Sequence, residues 1–320
     1  KGSLNNDIGV PLTLARLGAE HRSAVIEMGA NHLREIAYLV DLARPTVGII
    51  NNAGPAHLEG FGSLDGVARG KGELFAGLPL DATAVINADD RFADLWRGLA
   101  QGRKQVTFGL QNDADVHGTY SAQAQGSAIR MHTPQGDVNV LLPLPGRHNV
   151  LNALGATAAA LAAGADLADV KAGLESLGGV SGRLQRKTRA DGGVVLDDTY
   201  NANPASMRAA IDVLRELPGE SWLVLGDMGE LGGDAAQLHA EIGAYAREAG
   251  IHGLFTLGPL SAQAVRAYGA GAQAFDDLNA LVTALRRHLR PDIAVLVKGS
   301  RSAGMERVVQ ALVMPTGEDA

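Results

Sequence analysis

Short apolar runs alternate with amphipathic stretches along this chain, and that alternation constrains its fold more than any other feature. Thr46–Asn51 and Thr83–Asn87 are runs of β-branched and apolar residues that read as strands. So does Ser23–Met28, in which Glu27 is the sole charge. Leu33–Ala43 carries apolar residues at helical spacing, and Ile8–Gly18 reads as a shorter helix after a loop. Ser63 is placed to cap a helix that contains Lys71, and Asp89 or Asp90 to cap one running through Trp96. This alternation predicts an α/β fold with a mostly parallel sheet and right-handed crossovers.

From Lys104 to Leu144 the texture changes. Short segments at 106–108, 128–131 and 138–141, separated by Asp, Gly and Pro, predict an antiparallel β insertion built from hairpins. Pro145–Asn149 leads into an Ala-rich helix to about Gly164, and Leu167–Leu177 reads as another. Gly178-Gly179-Val180-Ser181-Gly182 is the best domain boundary, four of its five residues being small or flexible. The alternation then restarts, with strands expected at 194–196, 222–225, 254–257 and 294–297. The expected organisation is a domain over 1–182, a smaller α/β domain over 183–314, and a frayed polar tail over 315–320.

Composition narrows the function classes. The net charge is −7, from 28 basic and 35 acidic residues, with no long basic run, which argues against nucleic acid as a partner. The absence of cysteine excludes disulfides and thiolate metal sites and fits a reducing, cytoplasmic compartment. No apolar run reaches the ~20 residues of a membrane span. The stretch Ile49–Leu74 stands out, because a strand ends in Asn51-Asn52-Ala53-Gly54-Pro55, His57 follows, and Lys71 sits on the next helix. Ligands bind outside the carboxyl ends of strands in open α/β sheets, so His57 and Lys71 are placed to meet over one site. Taken singly, His57 reads as a loop histidine and Lys71 as a solvated helix lysine. Glu27 reads equally as an exposed edge acid or as a functional carboxylate, since an unpaired buried carboxylate is costly.

Several segments, in order, resemble the Mur ligase family: Glu27–His32, His57–Ser63 with Lys71–Glu73, Asn87–Asp90, Gly146–Ala153, Gly182–Gln185, Asp197–Pro204, Leu225–Leu231 and Lys298–Arg301. The resemblance covers essentially the whole chain. Asp197–Pro204 (DDTYNANP) and Gly226–Leu231 (GDMGEL) point to the branch that joins D-alanyl-D-alanine to UDP-N-acetylmuramoyl-tripeptide. It implies an ATP-dependent amide ligase of peptidoglycan precursor synthesis, serving cell shape and division, with an acyl-phosphate intermediate and a monomeric state. The implied fold is a P-loop-type domain followed by a Rossmann-like C-terminal domain. The alternatives are another Mur-type or folylpolyglutamate-type ligase, or a non-catalytic ligase-like binding protein.

Residue by residue, the resemblance implies that Glu27 and His57 hold Mg²⁺ and that Lys71 is carbamylated, so that a cation becomes a carboxylate able to support a second ion. Asn87 matches an adenine contact, Arg183 an arginine that reaches the phosphates, and Asp198 an acid that holds the ribose. Asn149 and Asn152 match a signature at a helix start, where capping and packing compete with nucleotide contact. Asn201, Asn203, Lys298, Ser300 and Arg301 are implied to line the D-alanyl-D-alanine side, with loop punctuation as the alternative. The family's P-loop ends in Gly-Lys-Thr or Gly-Lys-Ser, and Gly70-Lys71-Gly72 is not one. The resemblance places that loop ahead of Ser3–Pro11, with a uridine-nucleotide domain further upstream. The expectation is therefore a C-terminal portion of such a ligase, inactive by itself.

Overall fold

The computed structural model describes residues 4–55, 58–123, 126–178 and 181–314. His57, linker residues 179–180 and the tail expected to fray at 315–320 lie outside the described residues. The chain forms two compact units, Lys1–Leu142 with His148–Ser176, and Pro143–Arg147 with Leu177–Ala320.

The first unit opens with α1 (Gly9–Leu14) and α2 (Glu35–Ala43), shorter and later than the sequence suggests for the first. The strands β1 (Val47–Ile50), β2 (Thr83–Asn87) and β3 (Lys104–Gly109) alternate with α3 (Leu58–Phe61), α4 (Leu64–Gly77) and α5 (Ala93–Leu99). Then β4 (Val116–Gln123), β5 (Gly126–Thr133) and β6 (Gly136–Leu142) precede α6 (Arg147–Ala162) and α7 (Leu167–Glu175). These six strands lie side by side in chain order. Pairing is parallel from β1 through β4 and antiparallel from β4 to β6. The antiparallel insertion thus begins at β4, and the 106–108 segment belongs to the parallel part instead. Ser63 caps α4 as expected, its hydroxyl accepting from Gly66 N at 3.0 Å. On one face of the sheet, Phe75 and Leu78 of the α4 layer pack with Trp96 of α5 against Ala84 and Ile86.

Ser23–Met28 is not a strand, contrary to the sequence expectation. A strand exists through its ladder, and this segment has no ladder partner among the described residues, since β1 pairs only with β2. Val25 is accordingly 99% exposed. Its apolar character had suggested a buried run.

The second unit comprises β7 (Gln185–Thr188), β8 (Val194–Asp198), α8 (Pro204–Arg215), β9 (Glu220–Gly226), α9 (Ala235–Glu248), β10 (Gly253–Leu257), α10 (Ala262–Tyr268), β11 (Ala272–Phe275), α11 (Leu278–His288), β12 (Ile293–Lys298) and α12 (Glu306–Val313). The strand order is β11-β10-β9-β12-β8-β7, parallel except where β7 meets β8. Met207, Ile211 and Leu214 of α8, with Ile242, Ala246 and Ala264, cover one face. Leu281 and Leu285 of α11, with Val308 and Leu312 of α12, cover the other. Burial on both faces explains why β9 and β12 read as near-continuous apolar runs. It also makes β12 special. The helices that follow its two neighbours, β8 and β9, lie on one face, while its own successor α12 lies on the other. In open α/β sheets a crevice opens at the carboxyl ends of strands where such a reversal occurs.

Candidate functional site

In the first unit the parallel register of β1 and β2 brings their carboxyl ends together. Asn87, only 2% exposed, is hydrogen-bonded there at both ends of its amide. Its Nδ2 donates to Asn51 O at 2.8 Å and its Oδ1 accepts from Asp89 N at 2.9 Å. Asp90 accepts from Ala53 N at 2.9 Å, tying the loop after β1 to the loop after β2. Neither Asp89 nor Asp90 caps α5, as the sequence had suggested. The residue before that helix is Phe92, without a side-chain cap, and Asp90 instead holds Phe92 N at 2.9 Å in the preceding turn. The Asp89 carboxylate accepts from Leu110 N at 2.7 Å and Asn112 N at 2.8 Å, fastening the loop after β3 as well.

Asn51 Nδ2 donates to Asn152 Oδ1 on α6, while Asn51 Oδ1 is buried without a partner among the described residues. An orphaned buried acceptor is costly, which makes Asn51 a candidate site residue that sequence reasoning missed. In sequence it looks like turn punctuation, and only its neighbours in space give it away. Asn149 lies in the first turn of α6, half-buried, and Asn152 one turn further on.

Lys71 lies in mid-α4 between two glycines. A Cβ at Gly70 would come within 2.4 Å of Phe61, and one at Gly72 within 2.5 Å of Leu99. Each glycine costs a helix interior about 1 kcal/mol, and close packing on either side of Lys71 accounts for both. The Lys71 side chain reaches solvent. Even so, the protein crowded around its ammonium pushes its pKa below the ordinary lysine value, against a weaker upward pull from Asp90. Glu27 is exposed and its Oε1 accepts from Asn5 Nδ2 at 2.8 Å. Among the described residues, no group of three or more His, Asp or Glu is arranged to hold a metal.

In the second unit, Asp198 closes β8 and Lys298 closes β12, opposite each other in register. Their side chains form an ion pair at 2.6 Å with Lys298 only 3% exposed. Lys298 Nζ also donates to Asn201 O at 2.7 Å. Burial pushes the Lys298 ammonium down, opposed by Asp198 and reinforced by the charge of Arg183. Asp198 Oδ1 accepts from Leu184 N at 3.0 Å, and Leu184 has a left-handed φ of 48°. Arg183 is exposed, with its guanidinium 4.5 Å from the centre of the Tyr200 ring. Arg183, Asp198, Asn201 and Lys298 are thus one connected group, although the sequence spreads them over more than a hundred positions.

Asn203 and Ser300 are committed locally. Asn203 Oδ1 accepts from Ser206 N at 2.8 Å in a reciprocal capping box at the start of α8, with Pro204 as its first residue. Ser300 donates to Asp227 O through Oγ at 2.7 Å and N at 2.9 Å, binding the loop after β12 to the loop after β9. Arg301 is exposed beside Glu306.

The Mur ligase middle domain matches residues 1–160, and the Mur ligase glutamate ligase domain matches 182–301. The UDP-N-acetylmuramoyl-tripeptide–D-alanyl-D-alanine ligase of Escherichia coli (strain K12) is 48% identical over 315 residues, 97% of this chain and 70% of that protein. The chain belongs to the Mur ligase family. Its fold agrees: a crystal structure of MurF from Acinetobacter baumannii superposes with a TM-score of 0.92 at 38% identity, covering 98% of this chain and 69% of that one. MurF from Thermotoga maritima, solved in complex with ADP, superposes at 0.85 with 25% identity, over 98% of this chain and 72% of that one. Within this Mur ligase chain, Asn87–Asp90 lies at the carboxyl end of β2, and Asp197–Pro204 and Lys298–Arg301 lie at those of β8 and β12.

Proposed function

We propose that this Mur ligase joins D-alanyl-D-alanine to UDP-N-acetylmuramoyl-tripeptide at the expense of ATP, in the cytoplasm and as a monomer. The observation that carries this reading is the 48% identity, sustained over 97% of the chain, to a ligase of that name. No described helix is long and apolar enough to cross a membrane. The division of labour follows the sequence, with residues 1–182 as the ATP-binding domain and 183–314 as the C-terminal domain.

In the proposed reaction a carboxylate oxygen of the tripeptide attacks the γ-phosphorus of ATP, and ADP leaves. The amine of D-alanyl-D-alanine then attacks the acyl carbon of the resulting acyl phosphate, phosphate departs, and the nitrogen loses a proton. Such transfers need positioning and charge neutralisation more than covalent help. Asp198 is suited to hold the ribose hydroxyls. Arg183, poised on Tyr200 and exposed, is suited to meet phosphate charge as it develops. Asn87, whose Nδ2 carries a second hydrogen beyond the one given to Asn51 O, is suited to the adenine edge. Asn149 and Asn152 support the strand ends from the start of α6, where Asn152 Oδ1 accepts from Asn51 Nδ2. Asn201 and Arg301, both exposed, are the side chains best placed for the D-alanyl-D-alanine side. Asn203, Ser300 and Lys298 support that side from beneath.

The carboxylate of Glu27 and a carbamate on Lys71 would be oxygen donors of the kind Mg²⁺ takes, with the imidazole of His57 adding a nitrogen donor. Glu27, His57 and a carbamate on Lys71 would hold it, and when bound it supplies neutralisation of phosphate charge. The fit rests on Lys71. A carbamate forms when a neutral amine adds to carbon dioxide and loses a proton, and crowding that lowers the Lys71 pKa raises the neutral fraction.

The test uses the full-length product of the gene that encodes this chain. ADP, phosphate and a tripeptide–D-alanyl-D-alanine product should form in equal amounts, and only when all three substrates are present. Product formation with a single amino acid in place of D-alanyl-D-alanine, at equal efficiency, would overturn the assignment. Lys71→Ala should lower turnover by about a hundred- to a thousandfold with the fold intact, the usual cost of losing one preorganised charge-stabilising group. Short carboxylic acids should restore part of it. Turnover like that of the unaltered enzyme would remove Lys71 from the site.

A further inference from the structure

The crevice at the end of β12 holds a charge whose purpose the reaction does not explain. Lys298 is almost wholly enclosed, so its ammonium is not presented to a ligand in solution. Removing a charge from water is expensive, and a buried ion pair by itself seldom improves on an apolar pair of similar volume. Stability alone therefore gives little reason for a lysine here. What the lysine does is geometric. Its Nζ bonds to Asp198 Oδ2 at 2.6 Å and to Asn201 O at 2.7 Å, and it joins no other acceptor among the described bonds.

The two partners belong to different tasks. Asp198 is the last residue of β8, and its other oxygen fixes Leu184 N next to Arg183. Asn201 opens the loop that runs into the Asn203 cap of α8. One ammonium thus fixes the acid and arginine on the nucleotide side, and also the backbone of the loop on the amine side. Bridging a carboxylate and a carbonyl takes a head group with at least two donors, and the lysine ammonium has three. The loop cannot shift at Asn201 without disturbing the hydrogen bond to the ammonium, and the ammonium cannot shift without disturbing Asp198.

We propose that Lys298 is a positioning residue that couples the nucleotide and D-alanyl-D-alanine subsites, acting through Asp198 and the Asn201 carbonyl without touching either substrate. The proposal rests on the ligase reading above and deepens it. It makes the two affinities depend on one side chain while leaving the UDP-tripeptide out.

The experiment is steady-state kinetics on the full-length gene product carrying Lys298→Met or Lys298→Arg, each substrate being varied in turn, with thermal melting as the check on folding. Lys298→Met should raise KM for ATP and for D-alanyl-D-alanine together, each by tenfold or more. KM for UDP-N-acetylmuramoyl-tripeptide should stay within twofold. Lys298→Arg, which keeps the charge in a broader head group, should raise the same two constants by a smaller factor. Lys298→Arg alone decides the matter should Lys298→Met fail to fold. A merely structural lysine would lower the fraction of active enzyme, and hence kcat, while leaving both KM values where they were, and that result overturns the proposal. So does a rise in only one of the two. An unaltered enzyme that ligates but does not use D-alanyl-D-alanine would instead overturn the ligase reading, an outcome visible before any variant is made.

Discussion

Lys71 and His239 are both bases whose charged form this fold disfavours, and they differ in what surrounds them. His239 is wholly buried in α9. Its Nδ1 donates to Ala235 O at 2.7 Å, and its Nε2 accepts from Met228 N at 2.8 Å. That pairing requires the neutral ring, and burial lowers its pKa below the ordinary histidine value. A second ring proton would point at the Met228 amide and leave both donors facing each other. The bond holds the Asp227–Met228 loop, which Ser300 and Ser261 N also anchor, so His239 supports at a distance the side proposed to receive the amine. With a folded pKa below 6.5, the stability it contributes is present in full above that value. It is lost as pH falls through the lowered folded pKa. His239→Gln, whose amide oxygen accepts from Met228 N at any pH, should melt lower than the unaltered protein at pH 7.5. The gap should narrow steadily toward pH 5. A gap that stays constant across that range would mean His239 does not titrate with unfolding. Sequence reading did not find His239, because a lone histidine among alanines on a helix carries no local signal.

At the scale of elements, what could be read was what burial on both faces imprints on sequence. Strands β2, β8, β9, β10 and β12 are central and nearly all buried, so their apolar runs announced them. β7, with residues Gln185–Thr188, and the short β11 are edge strands that carry little pattern, and both went unread. β4 exposes most of its residues and was read only as part of a β-rich region. Ser23–Met28 had the pattern but lacks the partner, which no local pattern reveals. The site divided in the same way. Individual motifs were visible, but the meeting of Asp198 with Lys298 depends on β12 inserting between β8 and β9, and periodicity does not encode strand order. The β7–β8 turn offers a test of how an edge is held. Arg189, 4% exposed, pairs with Asp191 at 2.9 Å and donates to the carbonyls of Val194, Arg290 and Ile293. It thereby rivets the edge hairpin to the start of β12. Arg189→Met would strand those carbonyls and the carboxylate. By the usual cost of breaking such buried networks it should destabilise the second unit by about 3 kcal/mol. Urea unfolding measures this directly, and a loss below about 1 kcal/mol would show that water replaces the guanidinium.

At the scale of the molecule, each unit has its own sheet and its own core. In the second, the sheet is covered on one face by α8, α9 and α10 and on the other by α11 and α12. Nothing in that arrangement requires apolar groups from the first unit. Its strand edges are β7 and β11, both short, which limits the unpaired backbone an isolated copy would present. A chain of this size with a two-sided core commonly reaches ~5–15 kcal/mol of stability. Residues 181–314 expressed alone should therefore fold, with a single cooperative urea transition and a native-like near-ultraviolet signal from Trp222, whose ring lies 4.9 Å from that of Phe255. The Asp198–Lys298 pair should persist in that fragment, because every group shown to hold it, from Leu184 N to Lys298 Nζ, lies within residues 184–298. Asp198→Asn should then lower the midpoint of the isolated fragment and of the full-length gene product by the same amount, since the cost arises inside one unit. A broad, non-cooperative transition in the fragment would mean that the second unit's core is completed from outside it. A much smaller effect of Asp198→Asn in the fragment would mean that the pair itself depends on the rest of the protein.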